Sequence, residues 1–366
     1  MHPIADDNPL LIPHKLPFVF SATTGGYARL WLSNLALSVL TLGIYSAWAK
    51  VRTLKYLYGH TQVAGGRFGY HASPIAILKG RALMVGLFVL WQLSAEFSPV
   101  LQGLLGAGAA ALAPWLAVQA MRFRLANTSW SGMRLHFDGQ TGAAYRAFFK
   151  SWLTLLLSLG LLWPLATLQK QRYLLPHSRL GQARLTIEPC VRKLYLAGFG
   201  SLFVAVLYGV GFGGLGGLIW YAGNAIDLPA WVNGHFGPGS MRVIDGFFSG
   251  MLGVLWLLAT LAYSRMAIQR VLLNHTSLMV DEVAHRLRLT LPSRSLFALH
   301  FSNTVALAFS LGLAWPWVRI RTLRATLGQL TLQGGADLAQ LYIQGQSQHD
   351  ARGDELAELL ALDLGW

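Results

Sequence analysis

The sequence is poor in charge, poorer still in acid, and nearly without cysteine. Only 12% of its 366 residues are charged, about half the share of an ordinary soluble domain. Asp and Glu number 15 against 29 Lys and Arg. The single cysteine, Cys190, excludes a disulfide framework and a cysteine-based zinc site. Eleven histidines are scattered with no His-Glu-x-x-His pair, so no metal is expected. No Gly-x-Ser-x-Gly elbow and no phosphate-binding loop occur, and Gly209, Gly211 and Gly214 lack the strand and helix that a dinucleotide site requires. The residues therefore point to no enzyme and no cofactor. Met1 to Pro17 has no apolar core of signal-peptide length, and reads as a polar cytoplasmic arm.

What the chain has instead is long uncharged apolar runs, with 54% hydrophobic residues. Leu83–Leu93, Val100–Met121, Leu194–Tyr221 and Gly246–Tyr263 are the clearest, and such runs mark membrane helices. The net charge of +14 would suggest nucleic acid in a soluble protein. Here the cations flank the apolar runs, where they meet an anionic leaflet, so the bilayer is the expected partner and nucleic acid is not.

Three segments align without a gap: residues 18–56, 135–173 and 287–325. Each opens on a short apolar stretch, whose period of two suggests a strand in the second and third, and carries Thr41-Leu42-Gly43, Ser158-Leu159-Gly160 or Ser310-Leu311-Gly312 near the end of an apolar run. Ala47, Pro164 or Pro316 follows four residues after the glycine. Such recurrence indicates one structural unit used three times. Two longer apolar hairpins lie between, at residues 81–121 and 194–265, turning at Glu96-Phe97-Ser98-Pro99 and near Asn224–Arg242. The expected fold class is an all-α polytopic membrane bundle, residues 18–325, with a threefold repeat and small cytoplasmic β elements. An acidic tail follows at 326–366, with an amphipathic helix expected over Asp354–Leu362.

Charge constrains the topology. If all seven apolar segments crossed, at least one strongly basic loop would face outward, against the positive-inside rule. The conflict vanishes if the repeat segments are re-entrant or lie in the plane of the interface, entered from the cytoplasm, with a turn or kink at their glycines. The hairpins then supply four crossings, with the loops near Glu96 and His235 outside.

Phe18 to Tyr70 resembles the opening of the YjgN-type family of bacterial inner-membrane proteins. The resemblance rests on the aromatic start, Asn34, Thr41-Leu42-Gly43-Ile44-Tyr45, Trp48-Ala-Lys-Val-Arg52 and Gly65-Gly66-Arg67-Phe68. It implies a multi-pass protein of the bacterial inner membrane and no established activity. It also implies a membrane-associated peptidase as a conceivable partner.

Candidate sites are polar groups inside apolar stretches. Asn34 and Thr41, Ser151 and Ser158, and Asn303 and Ser310 are each seven apart, so each pair shares a helix face. They could line a polar path or supply hydrogen bonds between helices. His300 lies within the third stretch, where an ionisable group is a functional candidate by default. Arg52, Lys55, Lys170, Arg172, Arg319, Arg321 and Arg324 could contact headgroups or an anion, or act as interfacial anchors. Two functions are expected from this pattern: passage of a small solute or ion, or a non-catalytic scaffold for a membrane partner such as a peptidase.

Overall fold

The computed structural model describes residues 14–225, 238–280 and 283–334. The arm before residue 14, the turn around His235, and the tail beyond residue 334 with its expected acidic helix lie outside the described residues. Two compact units are distinguished, and the first contains residues 1–189, 274–290 and 319–366.

The first unit holds an eleven-stranded antiparallel sheet. Its strands are β1 (His14–Pro17), β2 (Val19–Phe20), β3 (Thr61–Val63), β4 (Gly66–Tyr70), β5 (Thr128–Trp130), β6 (Met133–Phe137), β7 (Ser178–Leu180), β8 (Ala183–Ile187), β9 (Thr276–Val280), β10 (Val283–Leu289) and β11 (Leu330–Gly334). This corrects the expected all-α bundle with small β elements. Strands of two to seven residues, scattered over more than 300 positions, are too short to be read singly beside helices of 24 residues and more.

The spatial order is β1-β11-β10-β9-β8-β7-β6-β5-β4-β3-β2. β1 and β2 stand at opposite ends of that order, yet only Phe18 separates them in the chain. Leu16 faces Leu332 on one side and Val19 faces Gln62 on the other. The segment 14–20 thus touches both edges, and the sheet curls into a nearly closed barrel. Closure removes the unpaired edges that would otherwise template aggregation.

Two-residue turns join β3 to β4 and β5 to β6. Ala64-Gly65 (φ +49° and +78°) and Ser131-Gly132 (φ +51° and +85°) both hold positive φ at each central residue, the turn that matches the twist of hairpin strands. At the other rim the strands are joined by pairs of helices. These are α1 (Thr24–Leu40) and α2 (Ser46–Gly59), α3 (Pro74–Phe97) and α4 (Pro99–Ala126), α5 (Thr141–Leu157) and α6 (Trp163–Leu174), α7 (Val191–Ala225) and α8 (Pro238–Leu273), and α9 (Ser293–Phe309) and α10 (Trp315–Leu327). Each pair is inserted between two strands that are neighbours in the sheet. The chain therefore departs and returns at one place every time.

Short and long pairs alternate. α3, α4, Val191–Leu218 and Ser249–Leu273 are long and apolar enough to cross a membrane. Ser98 ends α3 and caps α4, accepting from the Val100 N–H at 3.2 Å, with Pro99 at the first helical position. The short pairs share one turn. Leu42 (φ +49°), Leu159 (φ +48°) and Leu311 (φ +49°) are each followed by a glycine at φ +85° to +90°. These leucines are 95%, 92% and 82% exposed.

Helix faces packed on the strands complete the first unit. Tyr27, Leu57 and Ile320 bury together beside Phe20, and Val118, Phe137 and Tyr173 form a second cluster. The second unit, residues 190–273 and 291–318, is held by aromatic packing. Trp256 Nε1 donates to Ala205 O at 2.7 Å, Tyr208 stacks on Phe297 and Phe301, and Tyr263 meets His300 edge-on.

Candidate functional site: the barrel interior

Alternation along the strands gives the barrel two chemically opposite faces. Arg67-Phe68-Gly69-Tyr70, Arg134-Leu135-His136-Phe137, Arg184-Leu185-Thr186-Ile187 and Arg286-Leu287-Arg288-Leu289 repeat the same order of cation and apolar residue. Successive side chains on a strand point to opposite faces. Registers such as Leu287 opposite Leu332, Leu185 opposite Leu278 and Leu135 opposite Leu180 gather the apolar set on one face. Arg67, Arg134, Arg184, Arg286 and Arg288 are exposed.

The apolar face encloses a cavity of about 320 Å³. Val63, Phe68, Trp130, Leu135, Leu180, Leu185, Leu278, Leu287 and Leu332 from the strands line it, with Phe18 between β1 and β2 and Met121 and Leu125 from α4. Burial of Val63, Leu125 and Leu332 stabilises the barrel by about 1.5–3 kcal/mol each. The packing nevertheless leaves room comparable to a small-molecule site, which begins near 300 Å³. Trp130 is the largest wall residue, and its Nε1 donates to Val63 O at 3.3 Å. Gly66 makes room for it: a Cβ there would lie 2.7 Å from the indole Cε2. Two guanidinium residues, Arg124 and Arg179, also contribute to the lining. Arg179 Nη2 pairs with Asp138 Oδ2 at 2.5 Å, while its buried Nε has no hydrogen-bond partner among the described residues.

The residues singled out from sequence lie elsewhere, on the short helix pairs. Arg52 Nη1 donates to Asn34 Oδ1 at 3.0 Å and to Tyr45 Oη at 2.9 Å. Asn34 Nδ2 donates to Ala49 O and Thr53 Oγ1, both at 3.4 Å. In the second pair, fully buried Ser151 donates to Ala166 O at 3.0 Å, the position matching Ala49. Thr41, Ser158 and Ser310 sit in the three turns. Their hydroxyl oxygens accept the N–H four residues on, from Tyr45, Leu162 and Ala314 at 2.9, 3.0 and 2.9 Å. Asn303 and His300 are buried on α9. Among the cations, Lys170 Nζ lies 5.8 Å from the Phe148 ring and Arg324 Nη2 donates to Ala22 O at 3.0 Å. Lys55, Arg172 and Arg319 are exposed, and Arg321 is half-buried. No group of three or more His, Cys, Asp or Glu able to hold a metal occurs among the described residues.

The cavity wall was missed because it is assembled from nine strands, β3 to β11. The fourfold Arg-apolar-x-apolar pattern, each copy ending a strand hairpin, is the signal that could have found it.

A nearly closed barrel whose connections are helix pairs, with four helices long and apolar enough to cross a bilayer among the described residues, defines an integral membrane protein. Its kind follows from comparison. The chain belongs to the family described as "Bacterial protein of unknown function (DUF898)", which it matches over residues 15–359. It is similar to "Inner membrane protein YjgN" of Escherichia coli O157:H7, at 29% identity over 147 residues, 39% of this chain and 36% of that one. The protein of the same name from Escherichia coli strain K12 is 30% identical over 147 residues, with the same coverage. That of Salmonella typhimurium strain LT2 is 28% identical over 126 residues, 34% of this chain and 32% of its own. The similarity thus spans about a third of these relatives. The protein is one of the bacterial inner membrane. No solved structure matches it.

Proposed function

We propose that this inner-membrane protein is a non-catalytic binding protein for an amphiphile, whose barrel receives an acyl chain. The observation that carries this reading is the apolar cavity of about 320 Å³ with Arg124 and Arg179 in its wall. An apolar cavity of this kind excludes water and accepts apolar ligands. The guanidinium residues suit an acidic headgroup at its margin. Passage of a small ion or polar solute, expected from the repeat segments, draws less support. Ser151 and Asn34 are hydrogen-bonded within their own helix pairs, and Thr41, Ser158 and Ser310 cap turns. Among the described residues no particular surface favours the scaffold reading.

In this reading the long apolar helices cross the bilayer, with the flanking cations at its cytoplasmic side, where they are favoured. The short pairs dip into the leaflet and return. α1, α5 and α9 have 17 residues each, a length of about 25 Å, short of the 30 Å hydrocarbon width. Their exposed tip leucines then rest among lipid tails.

The test uses the full chain in detergent with a fatty acid brominated along its chain. Quenching of the fluorescence difference between the parent and Trp130→Phe is expected, and Leu135→Trp, which fills the cavity, should abolish it. Absence of quenching, together with ion flux in liposomes, would overturn the proposal in favour of a channel.

A further inference from the structure

The outer face of the same strands carries a second feature that the lumen does not use. A cleft of about 550 Å³ opens between the first two strand hairpins, with Arg67 on one flank and Arg134 on the other. Its floor includes Gly69, Ser129 and His71. Ser129 stands opposite both Gly69 and Arg134 in the sheet register. Arg67 and Arg134 are therefore two strands and two register positions apart, about 12 Å. Two extended arginines can close that gap onto one tetrahedral oxyanion.

Three details prepare the cleft for an anion. First, Arg67 is braced. With the Gln62 amide turned oxygen-inward, that oxygen accepts from Arg67 Nε at 2.7 Å and Nη2 at 3.3 Å. A guanidinium has five N–H donors, so donors remain for a ligand. Second, the floor offers neutral hydrogen-bonding groups, with His71 Nε2 and Ser129 Oγ 2.8 Å apart. Gly69 keeps them accessible, since a Cβ at that position would lie 2.6 Å from Ser129 Oγ and 2.9 Å from His71 Nε2. Third, the cleft has no internal counter-charge. Arg179 and Arg286, elsewhere on the sheet, pair with Asp138 and Glu188. Among the described residues no carboxylate lies within ion-pair distance of Arg67 or Arg134. Two like charges drawn to one cleft without an acid are stabilised by an anion from outside.

We propose that the cleft between Arg67 and Arg134 binds a phosphate-type oxyanion, either inorganic phosphate or the phosphodiester of an anionic lipid headgroup. Arg67 and Arg134 supply the charge, Ser129 and His71 the neutral hydrogen bonds. The site faces away from the lumen and stands or falls independently of what the lumen binds.

The experiment uses the full chain in nanodiscs of phosphatidylcholine. Binding of inorganic phosphate is measured by calorimetry, and retention of phosphatidylglycerol against phosphatidylcholine by native mass spectrometry. Binding of phosphate with retention of the anionic lipid assigns the site to the shared group. Binding of phosphate alone assigns it to the free anion, and retention of the lipid alone to the headgroup. In each case Arg67→Gln with Arg134→Gln should weaken the response tenfold or more, with the far-UV spectrum and melting profile kept. Gly69→Ala, which crowds the floor but leaves both charges, should weaken it several-fold, and Arg184→Gln, at an exposed strand arginine outside the cleft, should leave it unchanged. No saturable response to either ligand, or a response that the arginine pair leaves unaltered, overturns the proposal.

Discussion

The backbone N–H of Phe18 donates to the carbonyl of Leu330 at 3.1 Å, and this bond lies where the segment 14–20 passes from one edge of the sheet to the other. Phe18→Pro removes that donor. The expected result is faster amide exchange over Leu330–Gly334, and over Thr61–Val63 where β2 pairs. Phe18→Leu keeps the N–H and should keep the protection. Unchanged exchange in the proline variant would mean that the ring is held without this junction.

The three short-pair turns offer a cleaner test of backbone cost. Gly43, Gly160 and Gly312 hold φ of +90°, +85° and +87°, and a Cβ at any of them meets nothing within 4 Å. Gly→Ala there changes conformational preference alone. Each substitution should cost about 1–2 kcal/mol, and the three costs should agree, as measured by thermal unfolding in one detergent. A spread far beyond that range would show that the turns differ in their surroundings.

Those turns were also the most legible part of the chain. Thr41-Leu42-Gly43 and its two counterparts pointed to a break, because a glycine between apolar runs marks a positive φ or a kink. The leucine before it, itself left-handed, carried no such mark. The long helices were legible too, since an uncharged run of twenty residues has few alternatives. The barrel was not. Trp130 and Leu287 belong to one wall only because strands more than 150 residues apart are ordered around a ring, and hydrophobic periodicity carries no information about that order. The hydroxyls of Thr41, Ser158 and Ser310 were visible as a shared helix face. That their oxygens cap the turn N–H groups depended on a backbone path that only the structure supplies.

Gly66 and Trp130 should behave as one unit. In Gly66→Ala the new methyl would sit 2.7 Å from the indole, so Trp130 must move and its bond to Val63 O is lost. A loss of about 1–3 kcal/mol is expected for such overpacking, with a red shift in Trp130 emission. Gly66→Ala combined with Trp130→Leu should be more stable than the sum of the single losses, because the clash is absent. Strict additivity would mean that the indole is not what the glycine accommodates.

His71 gives the fold a pH dependence whose sign can be worked out. Desolvation first, then the charges of Arg134 and Lys55, hold its pKa below the ordinary 6.5. Three cations face it: Lys55 from α2, Arg134 from β6, and Arg67 from its own strand side of the cleft. The unfolded chain therefore binds this proton more readily than the folded one. Stability from His71 is fully present above about pH 6.5 and is lost as pH falls through the lower folded value. Melting temperatures in phosphate-free buffer should thus decline on acidification, and His71→Gln should flatten that decline. Arg134→Gln removes the stronger of the two repelling cations, so in that variant the His71 titration, followed by NMR of the labelled ring, should shift upward. Saturating phosphate should shift it upward as well, since an anion in the cleft favours the imidazolium. A titration that neither change moves would place His71 outside the influence of Arg134 and leave its burial and Lys55 as the causes of the depressed pKa.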